Sequence, residues 1–326
     1  MTIQRIFLLL VIYSVLLCST HAVETSYFTP DLVGSSARSI RLGGIEGMSS
    51  HSDSVFENPA ALYRVKRFST TFFQTTFMEE VVYQNIAFAM KTNLGVFGLG
   101  FFNAGVDNIP KTMKNEYEDY TEYYVKYYFN YQNSLLKASY QVSPSEFLHL
   151  GISGSYFYNE FDTVKATGSN VDVGAVLDFE RLNFSILVRN LMTSNEIRYV
   201  DSEIGSNSSN NRTEKLSIQN IYSVNYRLRH FTMYGQIKTV GSQRELHKAL
   251  GLQFNPRFLP FLKISGGYKQ YPQLSYEEGV LASKEKASYT VGIGLNLLGF
   301  NLDYSYARSD HVSFDHNNYF SVGLSF

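Results

Sequence analysis

Along most of the chain, large apolar residues alternate one for one with small or polar ones. At the C-terminal end Phe320, Val322, Leu324 and Phe326 hold one parity, and Ser321, Gly323 and Ser325 the other. Upstream, Phe300, Leu302, Tyr304 and Tyr306 alternate with Asn301, Asp303, Ser305 and Ala307. Tyr289, Val291, Ile293, Leu295 and Leu297 alternate in the same way with Ser288, Thr290, Gly292, Gly294 and Asn296. A period of two is the mark of a strand with unlike faces. In a soluble sandwich the polar face carries Lys and Glu; here it carries Gly, Ser and Asn with isolated charges. That suits the crowded or watery lumen of a transmembrane barrel, with the apolar parity turned to lipid. The pattern predicts strands near 68–77, 80–90, 94–104, 134–143, 147–158, 170–179, 182–192, 215–227, 231–240, 247–255, 261–271, 286–297, 300–309 and 317–326. Connections alternate between short turns and long polar links at 105–132, 159–169, 193–214, 272–285 and 310–316, as in outer-membrane barrels. Tyr123–Phe129 also reads as a strand, but counting it breaks the even number, so it is placed in the second outer loop as an extension above the membrane.

Composition sharpens this picture. The 326 residues carry 28 Lys and Arg against 29 Asp and Glu, and charged residues are only 17% of the chain. Such a chain is too apolar for disorder and has no basic excess for nucleic acid. The aromatics are 25 Phe and 25 Tyr, with no Trp. At the N-terminus, Arg5 precedes an apolar run from Ile6 to Cys18, and Ser19 to Ala22 offers a small-residue cleavage site. The run is shorter than the ~20 residues of a spanning helix, so residues 1–22 are expected to be a signal peptide cleaved after Ala22. A lipobox at Cys18 is the competing reading, disfavoured by Leu17. Cleavage after Ala22 removes the single Cys and leaves no disulfide.

Residues 23–66 do not alternate and are expected to form a compact hatch inside the barrel, with 67–326 as the barrel itself. Gly43 and Gly44 allow a tight turn or close approach to a wall, and Asn58 before Pro59 and Ala60 is a cap-and-start pair for a short helical turn. The order Ala37-Arg38-Ser39-x-x-Leu42-Gly43-Gly44, then Asp53, then Asn58-Pro59-Ala60-Ala61-Leu62, resembles the opening of FadL-like outer-membrane proteins. The PorV/PorQ group and the related uncharacterised family UPF0164 are the nearest in pattern. Later stretches fall in the same order: Leu148-x-Leu150-Gly151-Ile152-Ser153, Asp172-Val173-Gly174 and Val188-Arg189-Asn190-Leu191. Ile45-Glu46-Gly47-Met48 departs from the smaller residues usual after the glycine pair. The resemblance implies a fourteen-stranded barrel in the bacterial outer membrane. It also implies capture of long-chain fatty-acid-like or other small hydrophobic compounds at the outer face, and a hatch made of Arg38, Arg41, Gly43, Gly44, Asp53, Asn58, Pro59 and Ala60. The resemblance further implies that a kinked third strand opens the wall as a lateral gate.

Gly95, Gly98 and Gly100, with Gly105 just beyond, lie on that strand here. They either mark such a bend or make room for the hatch. Asp172, Asp178, Arg189, Lys238, Lys263, Lys269 and Asp303 point inward by parity. They serve either as polar contacts for a ligand or, the favoured reading, as partners for one another and for Arg38 or Arg41. His149 has no nucleophile partner at a supporting spacing, and Asp310-His311 with Asp315-His316 is weak as a metal site, so no enzyme, metal or cofactor is expected. The sequons at Asn207 and Asn211 are read as coincidence. The expected partners are outer-membrane lipid, a hydrophobic ligand and, through the terminal Phe326, the barrel-assembly machinery. A PorV-like component of a secretion system, holding exported proteins on the Tyr-rich loop at 116–124, is the rival function, and a barrel whose hatch never moves is the third.

Overall fold

The computed structural model describes residues 33–77, 80–117, 119–192, 196–201, 212–241, 246–277, 280–310 and 316–326. The expected signal peptide, the first sequon and Asn211 of the second lie outside the described residues.

Sixteen strands follow a short helical segment. They are β1 (Phe68–Phe77), β2 (Val81–Thr92), β3 (Gly95–Glu116), β4 (Thr121–Val142), β5 (Leu148–Phe161), β6 (Val164–Phe179), β7 (Leu182–Arg189), β8 (Glu196–Asp201), β9 (Arg212–Lys215), β10 (Gln219–Arg227), β11 (Phe231–Val240), β12 (His247–Phe254), β13 (Leu262–Glu277), β14 (Val280–Leu297), β15 (Phe300–Ser309) and β16 (Asn317–Ser325). Fourteen of them close a ring: β7 pairs with β10, and β1 closes on β16 from Ser69↔Ser325 to Gln74↔Phe320. Every pairing is antiparallel, so the ring leaves no free edge. β8 and β9 lie outside it. β7 is short, and the upper part of β6 that it leaves unpaired, Val164 to Thr167, takes β8 instead.

All fourteen expected strands are present, but the expected link 193–214 holds β8 and the start of β9, and three others continue the wall strands as hairpins. β3 and β4 run on through the second link as a paired hairpin to Glu116↔Thr121, so Tyr123–Phe129 is strand. β5 and β6 continue to Phe161↔Val164, and β13 and β14 to Glu277↔Val280. Polar composition misled the boundary there, because a hairpin that leaves the bilayer needs no apolar face while its ladder still satisfies the backbone. The tall β3–β4 hairpin carries register shifts at Val106/Ile109 and Lys111/Thr112.

Outside the ring, Phe72, Ile86, Leu99, Leu136, Ile152, Leu250, Val291, Leu302 and Phe320 are all exposed. A continuous apolar belt of this size is not sustained in water by a monomer, and it is the surface a bilayer-spanning barrel presents to lipid. At the end carrying the short connections, the Leu298-Gly299 turn has both residues at positive φ, 52° and 88°. Two such residues match the twist of the flanking strands.

Candidate functional site in the lumen

Residues 33–66 contain only short helical pieces, which have no stability of their own. α1 (Ala37–Ile40) is capped by Ser36, whose side chain accepts from the Ser39 N–H. Gly43 and Gly44 follow at φ +81° and +75°. Two 3-10 turns come next, Ser52–Val55 and Pro59–Arg64, the second capped by the Asn58 side chain accepting from the Ala60 N–H. The inward faces of the strands hold these pieces. The Ser52 N–H donates to Ser69 Oγ of β1 at 3.0 Å, and Asn85 of β2 donates to the Ser35 carbonyl at 2.9 Å. The Glu46 N–H donates to Gln236 of β11 at 2.7 Å, and the Ala37 N–H to Ser321 of β16 at 3.2 Å. Contacts on opposite sides of a closed ring place the segment in the lumen.

Wall glycines make the fit. A side chain at Gly98 would run into Val55, and one at Gly100 into Phe56, so these two β3 glycines are filled by the segment. The β2–β3 ladder beside them is unbroken from Val82↔Gly105 to Thr92↔Gly95. Gly95 opens β3 directly after the turn, at φ +141°. Gly151 accommodates the Pro59–Ala60 backbone, and Gly174 the Asn58 amide. Asn58 also donates to Ser185 Oγ at 2.8 Å and to the Ile186 carbonyl at 3.0 Å. On the far side Gly251 and Gly267 abut Leu42 and Gly43, and Gly292 and Gly294 abut Arg41.

Charge completes the attachment. Asp303 of β15 takes both Arg38, at 2.7 Å, and Arg41, at 3.3 Å. Arg41 is fully buried and also donates to Ser265 of β13. Arg189 pairs with Glu46 across the segment–wall boundary, and Lys137 of β4 pairs with Asp172 at 2.5 Å within the wall. Tyr63 donates to Asp178. Asp53 accepts from Ser36 at 2.6 Å and from Ser49 at 2.5 Å. Lys137, Glu46 and the serines were not singled out from sequence. Alternation does give the inward parity of Lys137, but nothing in the sequence places Glu46 or the serines.

Glu57, at the centre of the segment, accepts from Ser35 at 2.5 Å and from the Gly47 N–H at 3.0 Å. Burial, helped by nearby Asp53 and Glu46, pushes its carboxyl up to about 8. A raised acid favours the protonated form in the folded state. Its contribution is therefore complete below the ordinary carboxylate range and is lost as pH rises to about 8. The urea midpoint for release of the segment is expected to fall between pH 5 and 8, by on the order of 1 kcal/mol per pH unit, and then to level. Glu57→Gln should remove that slope. A slope that survives the substitution assigns it to another group.

Above the segment, toward the long hairpins, the lumen changes character. Phe73, Phe77, Tyr83, Phe102, Leu135, Phe157 and Tyr319 point inward and pack with Ala37, Ile40 and Phe56 of the segment. Ring centroids lie 5.5 Å apart for Phe73–Tyr83, 4.8 Å for Tyr83–Phe102 and 6.2 Å for Phe73–Tyr319. Here strand residues are apolar on both parities, as in Phe72-Phe73 and Phe101-Phe102, a signal visible in the sequence. Below, His149 stacks on Tyr63 at 3.5 Å, and its Nδ1 lies 2.8 Å from Ser143 Oγ. His316 Nδ1 meets the Tyr306 hydroxyl, while His311 and Asp315 lie outside the described residues.

No family model matches the chain, and no curated protein does. Solved structures do. The toluene transporter TodX of P. putida superposes with a TM-score of 0.61 at 11% identity, over 91% of this chain and 99% of that one. The CymD monoaromatic hydrocarbon channel gives 0.62 at 12%, over 91% and 98%. A Pseudomonas aeruginosa FadL homologue gives 0.50 at 8%, over 94% and 97%. At these identities the likeness is one of fold, and the fold is the fourteen-stranded antiparallel barrel of FadL-type outer-membrane transporters.

Proposed function

We propose that the protein admits small hydrophobic compounds across the bacterial outer membrane, with residues 23–66, of which 33–66 are described, as the hatch that closes the lumen. The observation that carries this reading is the aromatic cluster of Phe73, Tyr83, Phe102 and Tyr319, set on the long-hairpin side of the segment in an otherwise polar lumen. A barrel passing hydrophilic solutes has no use for such a patch. A ligand entering from outside meets it before the segment, and apolar and aromatic walls with few polar groups are what hydrophobic ligands need. The structural neighbours, which include toluene and monoaromatic hydrocarbon channels, support the same class. The site residues proposed for the hatch are Arg38, Arg41, Gly43, Gly44, Asp53, Asn58, Pro59 and Ala60. In this reading Gly98 and Gly100 make room for the hatch, and the narrower expectation for the substrate is a long-chain fatty-acid-like molecule. The PorV/PorQ and UPF0164 resemblance spans most of the chain after residue 22, with the N-terminal motif as its only specific part.

The test is uptake of radiolabelled toluene and oleate by cells that lack their own transporter and express this chain. Uptake above the empty-vector level is expected, falling by roughly tenfold in Tyr83→Asp, because one buried charge in the patch costs more than 1.4 kcal/mol of ligand affinity. Faster uptake of oleate than toluene supports the fatty-acid expectation, and the reverse removes it. No uptake of either, with a stoichiometric protein co-purifying on the folded barrel, would move the function to secretion.

A further inference from the structure

Between the segment and strands β11–β13 lies a cavity of about 90 Å³, lined among others by Arg38, Arg41, Lys263, Tyr234, Gln253 and Ser49. Its walls are rich in positive charge. Arg38 Nη1 and Arg41 Nε are buried and have no hydrogen-bond acceptor among the described residues, and Arg41 Nη2 has only its 3.3 Å ion pair with Asp303. Lys263 has no ion pair among them. The acids near this group are Asp303, shared by both arginines, Asp53, tied to Ser36 and Ser49, and Glu57. Burial keeps Glu57 protonated at neutral pH, and burial beside Arg38 keeps His51 neutral. Three cations thus face two carboxylates, one of them already shared. A buried charge without a counter-charge costs several kcal/mol, and buried N–H groups without acceptors add to it.

We propose that this cavity is a binding site for one compact carboxylate-type monoanion, held by Arg38, Arg41 and Lys263 between the N-terminal segment and the β11–β13 wall. The volume suits a group of formate or acetate size, about three waters' worth. The anion supplies the missing charge and accepts the orphaned guanidinium N–H groups, so it also fastens the segment to the wall. The site is separate from the aromatic cluster, and uptake of hydrophobic compounds can fail with the anion still bound.

The probe is radiolabelled formate, measured by equilibrium dialysis against the folded full chain in maltoside micelles and a zwitterionic buffer at pH 7. One formate per chain is expected. Lys263→Met should weaken it by roughly tenfold or more, and Lys263→Arg should retain it. Glu57→Gln, which replaces a neutral group by a neutral one, should leave it unchanged. Displacement of formate by decanoate identifies the head group of a chain-bearing acid as the source, and failure to displace it identifies a free small anion. Absence of stoichiometric formate, or binding equal in wild type and Lys263→Met, overturns the proposal in favour of a water-filled cavity.

Discussion

Gly174→Ala is expected to release the N-terminal segment from the β6–β7 wall while leaving the ring of strands closed. A Cβ at this position occupies the place of Asn58 Oδ1, so the Asn58 side chain has to leave. With it go the cap on the Ala60 N–H and the donations to Ser185 and Ile186. Loss of the cap and exposure of buried acceptors put the cost at about 2–4 kcal/mol of docking free energy. The urea midpoint for proteolysis within residues 33–66 reads that cost. Ion conductance in planar bilayers should rise if the segment acts as the proposed hatch. The double variant Gly174→Ala/Asn58→Ala should lose little more than Asn58→Ala alone, since both remove one contact. Additive losses would show that Gly174 serves the strand itself rather than the dock.

The strand ladder was legible because a barrel repeats one constraint fourteen times: each spanning strand needs an apolar parity for lipid and a small one for the lumen. The constraint ends where the strand leaves the bilayer, and the boundaries read from sequence went wrong there, at the upper halves of β3, β4, β13 and β14. The lumen itself was legible only in part. Charges on the polar parity, such as Asp172, Arg189 and Asp303, were readable as inward, but the partners joined to them across the lumen were not. Glu46, which meets Arg189, lies 143 residues away in a segment with no period to reveal its orientation. The stretches around Gly151 and Gly174 share one physical role, since both glycines leave room for Asn58-Pro59-Ala60. A glycine on an inward parity gives no sign from sequence alone of what fills its space.

Asp303→Asn is expected to be the most damaging single change at the segment. Asp303 is the only acid paired with Arg38 and Arg41 among the described residues, and Arg41 has no exposure to water through which to recover solvation. Removing one partner of a buried pair leaves an uncompensated charge and typically costs about 3–5 kcal/mol, and here two cations lose their partner. Arg41→Met, by contrast, leaves Asp303 paired with Arg38 at 2.7 Å and fills the space beside Gly292 and Gly294 with an apolar chain of similar length. It should therefore cost clearly less, although both variants break the same Arg41–Asp303 pair. Urea titration of the two proteins, followed by proteolysis of residues 33–66, gives the comparison directly. Equal losses would mean that the pair acts through geometry alone. A smaller loss in Asp303→Asn than in Arg41→Met would mean that packing of the Arg41 stem against the wall glycines, and not charge, holds the segment in place.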